Sequence, residues 1–399
     1  MNQATLDFIR KHAKTDVRQL ALQGTRDPEI DLSFALEQIA GWQKARTKLP
    51  SWAAVEGMLY PPHLSMEQCS SEQTARYKAS LAGEGSLLVD LTGGFGVDFS
   101  FMARGYQKAV YVERQPHLCA IAKQNLVTLG LTHAEVKNAD GMAFLHSIDH
   151  ADLLFIDPAR RDEHGGRTYG IADCTPNVLE NLDEMLKKAD RVMIKLSPML
   201  DWQKAVADVR HVNEVHIVSV DNECKELLVE VRKGEGEKER KYKVVCVNLL
   251  HDDTREVFEF EAPLTPSPSH LLPFSPPHRL TFLYEPNASI MKAGCFELLE
   301  QRFGAVQLDR NSHLYVSDKE VPDFPGRQFV IEGRSSMNKR DLKLALSGIT
   351  KANITVRNFP ISVAELRKRL KLKDGGDLFI FATTVADGGH QLFICRKVR

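Results

Sequence analysis

From Ser86 onward the chain repeats one alternation: the short runs LLVDL, AVYVE, AEVKNA, DLLFID, RVMIKL, EVHIVSV and ELLVEVR, with helical patterns between most of them. Strands that alternate with helices build a mainly parallel sheet covered on both faces. The last two runs are joined only by DNECKE, too short for a full helix, so they read as an antiparallel edge. A charged GEGEKERK turn and the strand YKVVCVNLL extend that edge to about residue 262.

A chain of 399 residues exceeds what one hydrophobic core usually supports. Residues 1–80 read as a helical N-terminal region, with apolar positions at three-to-four spacing in TLDFIRKHA and IDLSFALEQIAGWQKA. Ser-x-x-Gln capping signals start a helix near Ser70 or Ser71. The α/β domain follows over 81–262, and six prolines in APLTPSPSHLLPFSPPH make 263–278 a linker. The remaining 120 or so residues alternate strand and helix patterns again, as one small α/β domain or two smaller halves.

Hydrophobic residues at 43% and charged residues at 26% exclude collagenous, disordered and membrane-spanning chains. No apolar run approaches the roughly 20 residues that cross a bilayer, and MNQATLDFIRKHAKTD is unlike a signal peptide, so a cytoplasmic protein with no membrane partner is expected. The seven cysteines form no CxxC pair, which leaves buried free thiols as the expectation and no metal.

The densest chemical signal is LLVDLTGGFGVD, residues 87–98. A strand ends at Asp90, and Gly93, Gly94 and Gly96 permit a tight turn that brings backbone close to a ligand before a helix begins. Glu113 ends the next strand, placed like the acid that holds a nucleoside ribose through its hydroxyls. Phe99 stands where a dinucleotide loop needs its third glycine, so the pyrophosphate fingerprint fails; a cofactor with a cationic amino-acid tail suits Asp90 and the turn at Thr92 better. Asp140 suits an adenine amino group, or equally caps the helix that starts at Gly141. Asp157, Pro158, Ala159 and Arg160 follow the fourth strand into the crevice where open α/β sheets bind ligands. A carboxylate beside a fixed carbonyl suits a base amine as acceptor. In the polar stretch behind them, Arg167 and Tyr169 suit phosphate and base stacking.

Asp90 to Gly96, Glu113, Asp140 and Asp157 to Arg160 resemble the ordered motifs of class I S-adenosylmethionine-dependent methyltransferases over residues 65 to about 232. The resemblance implies a Rossmann-like seven-stranded α/β sheet and S-adenosylmethionine as cofactor. CSSEQTA, residues 69–75, is similar to the segment that precedes the glycine loop in trimethylguanosine-synthase-like enzymes, which carries a cofactor role onto Ser70 and Glu72; Asp98 stands where those enzymes have asparagine. Amino-directed relatives place an aromatic residue where Arg160 stands, so stacking would fall to Tyr169. RNA uracil carbon-5 methyltransferases share the Asp-Pro-Ala-Arg spelling but use a cysteine on the next strand, which here reads IKLSPM with Lys195 and Ser197.

Beyond the linker, LYEPNASIMKAG (283–294), TVRNFPISVAELRKRL (355–370) and DGGDLFIFATT (374–384) resemble bacterial methyltransferase-like proteins with a ferredoxin-like segment, here 279–321, and a THUMP-like domain, here 322–399. THUMP domains bind structured RNA, usually tRNA, and the resemblance implies a tRNA or rRNA partner. Charge agrees with it. The whole chain has a formal net charge of −1, yet Arg327 to Lys373 holds twelve basic residues against three acidic ones, a net of +9 that includes Arg357, Arg367, Lys368 and Arg369. Such a surface attracts phosphates. The resulting expectation is methylation of a base amine in structured RNA; a non-catalytic RNA-binding protein on this fold, and a methyltransferase for a small molecule or a protein, remain the alternatives.

Overall fold

The structure is a computed structural model that describes residues 2–160, 170–233, 241–263 and 280–398, with Arg160 described by its backbone alone. Arg167, Tyr169 and most of the proline-rich linker therefore lie outside the described residues. The chain divides into two compact units, one of residues 1–216 and 225–243, the other of 217–224 and 244–399.

The first unit opens with short helices. That of Leu32–Lys48 is capped by the Asp31 side chain, which accepts from the Phe34 amide. The helix Glu72–Ala82 starts where the Ser signals put it, with Ser71 as its cap. Buried Ala45, Leu49, Trp52, Tyr60 and Met66 form one cluster with Ala75, Phe95 and Val97. Phe95, the residue between Gly94 and Gly96, packs edge-on against Trp52 at 5.1 Å, so the helical region anchors the glycine turn from above.

The sheet strands are β1 (Gly85–Asp90), β2 (Tyr106–Glu113), β3 (Ala134–Asn138), β4 (Ala151–Ile156), β5 (Ala189–Leu196), β6 (Val212–Val220) and β7 (Glu223–Arg232). Their spatial order is β6-β7-β5-β4-β1-β2-β3. All neighbours from β3 to β5 run parallel, and β7 lies antiparallel to β5. The chain leaves β1 toward β3 and returns to the other side of β1 with β4, which opens a crevice between them at the carboxyl ends of the strands. The two-residue connection from β6 to β7 puts Asp221 and Asn222 at φ 47° and 67°, the left-handed pair a tight hairpin needs. The sheet order continues past β6 with β8 (Tyr242–Leu249) and β9 (Arg255–Ala262), nine strands where seven were expected. Leu88, Tyr111, Leu153, Phe155 and Met193 from four neighbouring strands pack with Phe99, Met102 and Leu126 into the core under the crevice.

The second unit carries β10 (Phe282–Pro286), β11 (Tyr315–Ser317), β12 (Gly326–Ser336), β13 (Asn353–Arg357), β14 (Leu378–Thr384) and β15 (His390–Lys397). With the short strand Val306–Gln307 these make one seven-stranded sheet, so the two halves suggested by sequence share a single layer. Only β13 and β14 pair in parallel among the register pairs described there. Among the described residues no helix is long and apolar enough to cross a membrane, and no group of three or more His, Cys, Asp or Glu is placed to hold a metal ion.

Two glycines are fixed by contact. A Cβ at Gly93 would stand 2.2 Å from the Tyr111 ring, and one at Gly141 would stand 2.1 Å from the Leu91 carbonyl oxygen. The second obstacle is backbone and cannot rotate away. Gly141→Ala is expected to lower stability by about 1–3 kcal/mol, as overpacking does, measured as a shift in the midpoint of urea unfolding; an unchanged midpoint would refute the close approach.

Candidate active site

The acidic residues Asp90, Glu113, Asp140 and Asp157 of the crevice stand at a strand end or in the turn that follows one. Asp90 closes β1 and is 1% exposed. Its Oδ1 accepts from the Thr92 amide at 2.9 Å, which starts the turn. Gly94 and Gly96 take φ of 54° and 81°, and the Gly93 amide donates to the Val112 carbonyl at 2.8 Å, pinning the turn to β2. Glu113 closes β2 with its carboxylate across that turn: Oε2 accepts from the Gly94 amide at 2.9 Å and Oε1 from the Gln115 amide at 2.8 Å. The Tyr111 hydroxyl donates to the Gly94 carbonyl, so strand β2 holds Gly94 through both its amide and its carbonyl.

Asp140 caps the helix Gly141–Ser147, accepting from the Met142 and Ala143 amides at 3.0 Å each. The capping alternative is thus realised, and the residue still lines the cavity. Asp157 follows β4, its amide donating to Thr92 Oγ1 at 2.7 Å. The backbone of Ala159–Arg160 then pairs with Cys174–Thr175, which aims the Asp-Pro-Ala-Arg segment along the cavity mouth. The cavity measures about 1390 Å³ and takes in Ser70, Asp90, Gly94, Glu113, Asp140, Asp157, Pro158 and Lys195. Glu72 is not part of its wall: its carboxylate accepts from the Ser51 amide at 2.8 Å and pairs with Arg76, tying the start of its helix to the N-terminal region.

Beneath Asp157 runs a chain of charges that alternates in sign. Lys195, near the end of β5, places Nζ 2.6 Å from Asp157 Oδ2 and 3.5 Å from Asp98 Oδ2. Asp98 in turn faces Lys78 Nζ at 3.2 Å and accepts from Ser70 Oγ at 2.8 Å. Lys78, with no exposed surface, donates to both Glu226 oxygens at 2.6 and 2.7 Å. Burial opposes the charged form of Lys195, yet Asp157, Asp98 and Glu226 outweigh it and hold the ammonium well above the ordinary lysine range. Burial also opposes ionisation of Asp98, but Lys78 and Lys195 keep its carboxyl below the usual range. Asp90 has no such cation: burial, opposed by the Thr92 amide and reinforced by Asp98, Asp157 and Glu113, pushes its carboxyl well up.

Lys78 and Glu226 were not singled out from sequence. Lys78 shares its helix phase with buried Ala75 and Ala82, and Glu226 sits in the apolar run ELLVEVR; a charge on a buried face is the signal that finds both.

In the second unit Arg357 pairs with buried Glu285 at 2.9 Å, alongside Arg327, and Arg367 pairs with Asp374 at 2.6 Å while donating to the Ala352 carbonyl. Those two arginines are built into the fold, whereas Lys368 and Arg369 are exposed.

The chain is similar, at 33% identity with a TM-score of 0.85, to the crystal structure of a candidate methyltransferase from Porphyromonas gingivalis W83, with 99% of this chain and 98% of that one covered. It belongs to the family of class I S-adenosylmethionine-dependent methyltransferases with C-terminal ferredoxin-like and THUMP-like domains. Family profiles match residues 282–325 as a ferredoxin-like domain and 326–397 as a THUMP-like domain. Two further solved structures align over the smaller part of the chain. One is an rRNA methylase from Streptococcus thermophilus, 18% identical, TM-score 0.31, covering 41% of this chain and 96% of that one. The other is TrmK from M. capricolum in complex with S-adenosyl-homocysteine, 15% identical, TM-score 0.33, covering 42% and 70%. No curated protein matches the sequence.

Two outcomes follow from the charge chain. Lys78→Met leaves Glu226 and Asp98 buried without their cation and should cost about 3–5 kcal/mol, read by denaturant unfolding; a loss within error would mean that the pair is not enclosed. Asp90 contributes the opposite sign. Because its folded-state carboxyl titrates above the unfolded value, it destabilises the protein progressively as pH rises from about 4, and Asp90→Asn should be more stable than wild type near neutrality. That advantage should vanish below about pH 4, in melting curves recorded across pH.

Proposed function

We propose that this protein transfers a methyl group from S-adenosylmethionine to structured RNA. The observation that carries the reading is the convergence of Asp90, the Gly93–Gly96 turn, Glu113, Asp140 and Asp157 on one cavity at the switch point of a class I methyltransferase sheet.

The residues fit the cofactor chemically. Glu113, already accepting two amide hydrogen bonds, has the remaining lone pairs to receive ribose hydroxyls. Gly94 exposes backbone with no side chain in the way, and a Cβ there would meet nothing closer than 3.8 Å. Asp90 and Ser70 offer acceptors to an amino-acid ammonium, and Asp140, though its Oδ1 caps a helix, retains a free oxygen for an adenine amine. When bound, the sulfonium supplies an activated methyl group; the chain's part is to orient an acceptor against it and to keep water out. Asp157 and Pro158, at the cavity mouth, are the acceptor-side residues. RNA is favoured by the THUMP-like domain and by the exposed cations Lys368 and Arg369 within the +9 segment.

Asp157→Ala should abolish methyl transfer to RNA while leaving S-adenosylmethionine binding measurable by calorimetry; an unchanged rate removes Asp157 from the acceptor site. RNA affinity should fall steeply with added salt, by several powers of ten between about 50 and 200 mM when six or more phosphates are contacted, and a Lys368→Glu, Arg369→Glu variant should bind more weakly with a shallower salt slope in fluorescence anisotropy.

A further inference from the structure

The base amine expected from sequence meets a difficulty in the cavity. Asp157 is not a free acceptor: Lys195 Nζ stands 2.6 Å from its Oδ2. An amine nitrogen that attacks an alkylating carbon becomes more positive until it sheds a proton. A lysine ammonium beside it neutralises the one carboxylate that would stabilise that charge and adds repulsion of its own, from a side chain only 12% exposed. The ammonium cannot easily give up its proton, because Asp98 holds it from the other side and Lys78 with Glu226 fixes Asp98.

A hydroxyl acceptor reverses every term. Its oxygen becomes more negative as its proton leaves, so a fixed ammonium stabilises it while the adjacent carboxylate takes the proton. From this geometry we infer that the acceptor is a hydroxyl group and, on the RNA reading above on which this rests, the ribose 2′-hydroxyl. The hydroxyl oxygen attacks the methyl carbon of the sulfonium. A C–O bond forms, the C–S bond breaks with its electron pair passing to sulfur, and the hydroxyl proton goes to Asp157 and then to solvent. Lys195 donates to the oxygen throughout and is itself unchanged.

Within an RNA chain the 2′-hydroxyl is the group that offers an oxygen nucleophile at every nucleotide.

The experiment uses the full-length protein, methyl-labelled S-adenosylmethionine and total RNA from cells lacking the gene. Label is expected in alkali-resistant dinucleotides, and nucleoside mass spectrometry should place the added methyl on the sugar fragment. Label released as a base-methylated nucleoside overturns the hydroxyl assignment and leaves RNA methylation standing; no label in RNA removes the RNA reading, and this inference with it. Lys195→Met should lower transfer on the order of a hundredfold or more, as loss of one donor to a developing oxyanion does, with S-adenosyl-homocysteine affinity unchanged by calorimetry. If that affinity falls as far as the rate, Lys195 serves the cofactor pocket and not the acceptor. Lys195→Arg, which keeps the cation, should recover part of the rate, and failure to do so in a variant with wild-type melting behaviour would count against an electrostatic role.

Discussion

Lys78 is the residue on which the site is built. It is wholly enclosed, and its ammonium meets Glu226 from β7 on one side and Asp98 and Ser70 on the other. Those partners belong to an interior antiparallel strand, the helix after the glycine turn and the segment before the helix Glu72–Ala82. Three stretches far apart in sequence are thus brought to one point, and a buried cation tolerates no alternative packing that leaves it unpaired. Asp98, placed by Lys78, then places Lys195, and Lys195 places Asp157. The Asp157 side of the cavity is therefore set from within the protein.

The glycine-turn side of the cavity is organised by a different force: the turn is shaped by sterics. Gly93 lies against the Tyr111 ring, Gly141 against the Leu91 carbonyl, and Phe95 is pulled into an aromatic cluster with Trp52 and Tyr60. Asp90 remains as a buried carboxylate that the fold has not compensated. An uncompensated acid at a strand end facing a cavity is what a cationic ligand group would relieve.

The alternation of strands and helices, the antiparallel edge and the glycine turn were all legible in sequence, because they depend on local period and on residues with special backbone freedom. The same reading singled out Asp90, Glu113, Asp140 and Asp157, which stand at or just after strand ends and line the cavity. It could not find the charge chain. Lys78 and Glu226 are 148 residues apart, and each looks like an ordinary surface charge until the neighbouring elements are packed. Arg357 and Arg367 show the converse: they counted toward a basic surface, but Glu285 and Asp374 engage them within the fold. Net charge over a segment records composition and is blind to pairing.

Placed together, the two halves of the cavity assign different tasks to similar groups. Asp90 ends β1 and Asp157 follows its parallel neighbour β4, yet among the described residues the first has no cation partner and the second shares Lys195. An acid of the first kind binds a positive ligand group; an acid of the second kind is already balanced and exchanges protons with whatever oxygen or nitrogen displaces part of its hydrogen bonding. With Asp157 half in the cavity at 40% side-chain exposure and Lys195 behind it at 12%, an incoming acceptor meets the carboxylate first and the ammonium just beyond. That order, base in front and cation behind, is suited to drawing a proton from a hydroxyl and steadying the oxygen that remains.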